Sequence, residues 1–188
     1  VTDILKGWYS GQVVRKHAMM NIRAENNAEH SWGVVHILLS IWPKTSSRLI
    51  IACQYHDFGE KATGDVPGPV RWANPDLAAK LDGMEMEYME LHLPPEIVRI
   101  MVELTFLEKQ MIEFCDRVEF CFSAIREINL GNQYMRVAFN RSHAKATEAL
   151  ERIRGLDEST YEPAFQFWKE LNSLKHQVSR SDHNVIGE

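Results

Sequence analysis

Cysteine is scarce: Cys53, Cys115 and Cys121 are the only three, and no two form a CxxC pair. That odd, unpatterned set excludes a disulfide framework and predicts free thiols in a reducing compartment. Long apolar runs are missing as well. The longest, such as Ile37 to Trp42, fall far below the length needed to cross a bilayer. Basic residues are not in excess. Lys and Arg number 21 against 26 Asp and Glu, for a formal charge of -5. This excludes a global basic field for a nucleic-acid polymer, although a local basic pocket is still allowed. No internal period marks a repeat array. The opening VTDILKGWYS carries Asp3 and no small-residue cleavage site after an apolar core, so no leader is expected there.

What is present suits one domain. The 188 residues are 45% hydrophobic, enough for a full core and too apolar for disorder. We expect a single domain over 1–178 and a polar, fraying tail over 179–188. Helical periodicity dominates. Val34, Val35, Leu38, Leu39 and Trp42 share a face up to Pro43, and Ser46 or Ser47 can cap the next helix. Residues 59–75 hold Gly59, Gly64, Pro67, Gly68, Pro69 and Pro75 and predict a loop broken by turns. Helices are then expected from about Asp76 to Leu93, from Pro95 through Val102, from Glu108 to Asn129, from Tyr134 to Ile153 and after Pro163. With no run of alternating strand residues, the fold class is all-α, about six or seven helices.

The chemistry concentrates at His56-Asp57, next to the apolar stretch Leu49, Ile50, Ile51, Ala52, Cys53. Alone, the pair fits a capping carboxylate and a hydrogen-bonded core histidine. His30, after Glu29 at the start of the helix to Trp42, and Asp116, inside a mostly apolar helix, change the picture. Two imidazoles and two carboxylates form a mixed set suited to one divalent cation: Mn, Co, Mg, Zn, Ni or Fe. Glu60 falls one helical turn after His56 and can orient or deprotonate a water. Asp65, in the turn Thr63-Gly64-Asp65, can do the same or simply bond its own backbone. Arg15, Lys16, His17 and Arg23 cluster before the first candidate ligand, and Lys61 and Arg71 flank the second motif. Such cations suit a phosphate, and each also suits a solvated surface. Trp72, beside Arg71, is the aromatic best placed to touch a base.

The pattern H…HD…D, as His30, His56-Asp57 and Asp116, resembles the HD-domain metal-dependent phosphohydrolase superfamily. IRAENNAEHSWGVV (22–35) and, more specifically, YHDFGEKATGDVPGPVR (55–71) resemble motifs of the small bacterial 5'-deoxynucleotidases and of related phage enzymes. The resemblance spans roughly 8–150. It implies an HD-domain helical bundle in which His30, His56, Asp57 and Asp116 hold the cation. It also implies that Glu60 and Asp65 handle water and protons, and that Arg15 contacts phosphate or sugar. Lys16 departs from the bacterial pattern, which has Trp there, and His17 fits the phage pattern. The resemblance further implies a deoxynucleotide substrate, a homo-oligomer, and a place in the cytoplasm of a bacterium or a phage-infected cell. The expected activity is a 5'-deoxynucleotidase, releasing phosphate from a dNMP. The alternative is a phage-type dATP/dNTP triphosphohydrolase, releasing triphosphate. A non-catalytic nucleotide-binding regulatory module would keep the scaffold but lose a ligand or the acidic helper, and every such position is filled here.

Overall fold

Two glycines in ten residues argue against a helix, yet Thr2–Gly11 forms one, α1. The computed structural model describes residues 2–16 and 19–180, with side chains described over 4–16 and 19–173. The glycines of α1 serve close packing. A Cβ on Gly11 would meet that of Ala28 at 3.2 Å, and one on Gly7 would touch the Phe58 ring at 3.9 Å. Ser10 Oγ adds a hydrogen bond to the Phe58 carbonyl at 2.7 Å.

After α1 come two short antiparallel strands, β1 (Val14–Arg15) and β2 (Glu25–Asn26), with Arg15 opposite Glu25. Seven helices follow: α2 (Asn27–Ile41), α3 (Ser47–Tyr55), α4 (Glu60–Thr63), α5 (Gly68–Ala73), α6 (Pro75–His92), α7 (Pro95–Val102) and α8 (Phe106–Asn129). Then come α9 (Met135–Leu156) and α10 (Glu158–Arg180). The all-α class holds, but with ten helical segments among the described residues instead of six or seven. The additions are α1 and the two short helices α4 and α5, both inside the stretch read as a broken loop. Pro69 sits in the first turn of α5 and Gly64, at φ 74°, ends α4, so turn residues here bound helices rather than replace them. Ser46 caps α3 by accepting from the Leu49 N–H at 3.3 Å.

α10 begins five residues before Pro163. Asp157 caps it, its carboxylate accepting from Ser159 N–H at 3.2 Å and from Thr160 Oγ1. Pro163 then costs the helix one backbone bond near its start, which that cap offsets. The helix continues through Arg180, so 179 and 180 are helical; the rest of the expected tail, 181–188, lies outside the described residues.

The chain divides into two compact units. The first comprises 1–36 and 45–105. Its core gathers Phe58, Met89 and Leu93, with Tyr55, Met86, Tyr88, Ile97 and Val98 against them. The turn from α3 into α4 is pressed onto α6. A Cβ on Gly59 would lie 2.6 Å from Glu85 Cβ and 2.8 Å from the Glu85 carbonyl oxygen. The second unit comprises 37–44 and 106–188. There α8 and α9 pack along each other, and α10 closes on α9. Phe114 stands edge-on to both Trp42 and Trp168, and Trp42 Nε1 donates to the Thr160 carbonyl at 2.9 Å. Among the described residues no helix is long and apolar enough to cross a membrane.

Two glycine substitutions on these elements should move in opposite directions. Gly59→Ala has no room and should cost roughly 1–3 kcal/mol. Gly83→Ala, exposed in α6 with nothing within 4 Å, should gain about 0.5–1 kcal/mol. Urea midpoints at unchanged slope measure both.

Candidate active site

α2 carries His30 into the interior one turn past its start, with no exposed surface. The end of α3 carries His56 and Asp57, their side chains 13% and 17% exposed. His56 Nδ1 lies 2.7 Å from the Cys53 carbonyl. A carbonyl only accepts, so Nδ1 carries the hydrogen and Nε2 presents its lone pair. That Nε2 faces His30 Nε2 at 3.2 Å, and both nitrogens stand 3.3 Å from Asp57 Oδ2.

His30 Nε2 lies within reach to share a proton with either neighbour; with that proton displaced, three lone pairs converge on one point and suit a positive charge. With metal–nitrogen bonds of about 2.0–2.1 Å, neighbouring ligands on a tetrahedral ion lie about 3.4 Å apart, and cis ligands on an octahedral ion about 3.0 Å. The observed separations fall between these, so the three residues fit one face of a divalent cation's coordination shell. The Cys53 carbonyl supplies the outer contact that commonly orients a ligating histidine.

Around this face lies a layer of charges. Arg15, on β1, donates through Nη1 to Asp57 Oδ2 and lies 3.5 Å from Glu60 Oε2. Burial raises the pKa of Asp57, but His56, Arg15 and His30 outweigh it and hold the carboxyl well below its ordinary range. Glu60 goes the other way. Burial, then the charge of Asp57, push it up to about 8, with Asp65 adding and Arg15 and Asn27 opposing. Two carboxyl groups three residues apart are thereby split into an ionised ligand and a proton holder, the division of roles that acid–base chemistry needs. A divalent cation on the ligand face would draw Glu60 back down.

Lys16 does not project freely. It adopts φ 55°, uncommon for a residue with a Cβ, and its N–H donates to the Asp65 carboxylate. Its ammonium makes a buried ion pair with Glu25. Burial raises the Glu25 pKa, but Lys16, then His30 and Arg15, leave it lowered overall. Asp65 is thus reached through the backbone of Lys16. Arg71, on α5, pairs with Asp82 at 2.6 Å and with Glu85, which also accepts from Thr63 Oγ1 at 2.6 Å. Arg23 pairs with Glu29 at 2.8 Å on the surface. Lys61 is exposed on α4. Trp72 is 55% exposed, with its ring over Gly68. Asp116 belongs to the second unit, on α8, half-buried beside Arg117. His17 lies outside the described residues. A cavity of about 310 Å³ opens beside Asp57, its walls including Trp8, Ser31, Gln54 and Tyr55.

Sequence reasoning missed Glu25 and Asn27. Both stand in the motif that precedes His30, but a carboxylate facing Lys16 and an amide facing Arg15 become visible only once the β1–β2 pairing folds the chain back.

The family of YfbR-like 5'-deoxynucleotidases matches residues 11–162, in both units. A 5'-deoxynucleotidase of Photorhabdus laumondii is 28% identical over 145 residues, 65% of this chain and 72% of that protein. One of Vibrio vulnificus is 25% identical over 79% of this chain and 86% of its own length. Among solved structures, the cyanophage S-2L HD phosphohydrolase DatZ, bound to dA and one catalytic zinc ion, superposes with a TM-score of 0.67 at 17% identity. It covers 91% of this chain and 96% of DatZ. A protein from Pyrococcus horikoshii gives 0.61 at 20% identity, covering 95% and 98%. At these identities the two structures show a common fold.

The raised pKa of Glu60 predicts a pH dependence in protein stripped of metal by a chelator. The folded state keeps the Glu60 proton until about pH 8, whereas the unfolded chain releases it near its ordinary 4.5. Folded stability therefore falls as pH rises through that window. Glu60→Gln removes this fall. The variant should gain on wild type between pH 5 and pH 8 by a few kcal/mol at most, measured by urea unfolding at both pH values. Parallel pH profiles would show that Glu60 is not held as described.

Proposed function

The chain belongs to the YfbR-like 5'-deoxynucleotidase family as an HD-domain phosphohydrolase acting on nucleotides, and we propose that it hydrolyses deoxynucleoside 5'-monophosphates with one divalent cation. The observation that carries the metal is the face formed by His30 Nε2, His56 Nε2 and Asp57 Oδ2 at 3.2–3.3 Å. Asp116 is proposed as a fourth ligand on the strength of the family motif alone. Two nitrogens and carboxylate oxygen leave the choice among Mn, Co, Mg, Zn, Ni and Fe to experiment. DatZ, with its zinc and dA, supports zinc as a candidate and a deoxynucleoside as the organic part of the substrate.

The charge arrangement supports a monophosphate. Lys16 is matched by Glu25, Arg23 by Glu29, and Arg71 by Asp82 and Glu85. Arg15, at the site, is itself shared with Asp57 and Glu60, and Lys61 is exposed on α4. A triphosphate brings more charge than this pair balances.

A divalent cation supplies Lewis acidity toward a phosphate oxygen and the attacking water. The side chains supply the rest. Glu60 takes a proton from the water as it attacks phosphorus and returns one to the 5' oxygen as the P–O bond breaks. Arg15 offsets charge gathering on the phosphate oxygens, and Asp65, held by the Lys16 N–H, orients water or sugar. Deoxynucleoside and inorganic phosphate leave. Three buried free cysteines agree with our placing the enzyme in a reducing cytoplasm.

A panel of dNMPs, NMPs and dNTPs with each metal, read by product, tests the proposal. Phosphate should be released from dNMPs, a chelator should abolish turnover, and Asp57→Asn should lower kcat about a thousandfold or more. Intact triphosphate from dATP without action on dAMP would replace this reading with the triphosphohydrolase, and full activity in Asp57→Asn would remove the metal site.

A further inference from the structure

Asn27 opens α2 and is 4% exposed. Its amide oxygen accepts from Arg15 Nη1 at 3.4 Å, and its amide nitrogen donates to the Asp57 carbonyl at 3.1 Å. It also helps to hold the Glu60 pKa down. Its own N–H donates to the Val13 carbonyl at 3.0 Å, tying it to the strand that carries Arg15. One side chain therefore meets the cation, the backbone of a candidate ligand and the proton-holding acid. A carboxamide offers an acceptor oxygen and a two-hydrogen donor nitrogen on separate atoms of one short stem without adding charge. A valine would fill much of the volume and make none of these bonds.

We propose that Asn27 is a positioning residue for hydrolysis, fixing the Arg15 guanidinium between Asp57 and Glu60 so that it meets the phosphate in one orientation. The inference rests on the hydrolase reading above. Arg15 Nη1 is shared by Asp57, Glu60 and Asn27, and of the three only Asn27 has no proton to gain or lose. It therefore anchors the guanidinium whatever the protonation of Glu60 or the occupancy of the ligand face. Losing that anchor leaves Arg15 its charge but not its aim, and misorientation is felt in turnover more than in binding.

The test compares wild type, Asn27→Val, Arg15→Ala and the double variant. Asn27→Val should lower kcat about tenfold or more, as expected for a hydrogen bond to a charged group, with KM changing less than about threefold. In the Arg15→Ala background the same substitution should change kcat less than about threefold. Independently of turnover, the Arg15 side-chain Nε–H resonance of metal-free protein, assigned by its loss in Arg15→Ala, should be dispersed in wild type and averaged in Asn27→Val. If Asn27→Val does not fold, Asn27→Ser, too short to reach both partners, is read the same way. A kcat within threefold of wild type, an equal loss in the Arg15→Ala background, or an unchanged Arg15 resonance would overturn the proposal. Absence of turnover in wild type would overturn the hydrolase reading instead, with the resonance still deciding whether Asn27 orders Arg15.

Discussion

Two imidazole nitrogens and a carboxylate oxygen held 3.2–3.3 Å apart need a proton or a positive charge among them, and the first unit is arranged around that demand. The Cys53 carbonyl fixes the hydrogen of His56 on the far nitrogen. α2 buries His30 completely. Arg15 bonds the same Asp57 oxygen that faces both histidines, so part of the required positive charge is built into the protein. Gly59 lets the turn after α3 lie directly on α6, and the next residue is Glu60. Position and chemistry of these groups are set by the same few backbone contacts.

The net charge of -5 takes on a different meaning at this scale. Acidic residues surround the site, but most are not free negative charge. Glu25 neutralises Lys16, Asp82 and Glu85 neutralise Arg71, and Asp57 is met by Arg15. The Lys16–Glu25 pair is buried on both sides, so its formation costs desolvation and it is weak evidence for stability. Its clearer effect is geometric. It links the ends of the β1–β2 pairing at Lys16, whose φ is positive and whose N–H donates to Asp65. Lys16 thus reaches the site through its backbone, while its charge is taken up inside.

The parts legible in the sequence were those whose chemistry is local. HDxxE places His56, Asp57 and Glu60 within about one helical turn, and α3 delivers them together. The helices from α6 to α9 followed their apolar periodicity to within about three residues. What was missed depended on partners distant in the chain. α1 is helical despite Gly7 and Gly11 because Phe58 and Ala28 pack where side chains would be. Pro163 hid the start of α10 because a capping Asp157 outweighs one lost backbone bond. The ion pairs of Lys16, Arg23 and Arg71 were hidden because a sequence shows charges but not their pairing. Asn27 was not singled out at all, since neither Arg15 nor Asp57 is its neighbour until the strands pair.

Asp57 and Glu60 show why residue type alone does not assign roles. Both are buried carboxyl groups on one short turn, and desolvation pushes both upward. Asp57 has two histidines and Arg15 against it, and ends far below its ordinary range. Glu60 shares Arg15 only at 3.5 Å and faces the charge that Asp57 keeps, so it ends near 8. Burial does most to raise Glu60, with the charge of Asp57 adding to it, and His56 does most to lower Asp57, with Arg15 next. The acid–base asymmetry therefore follows from the histidines that flank one carboxyl group and not the other, with the closer approach of Arg15 adding to it.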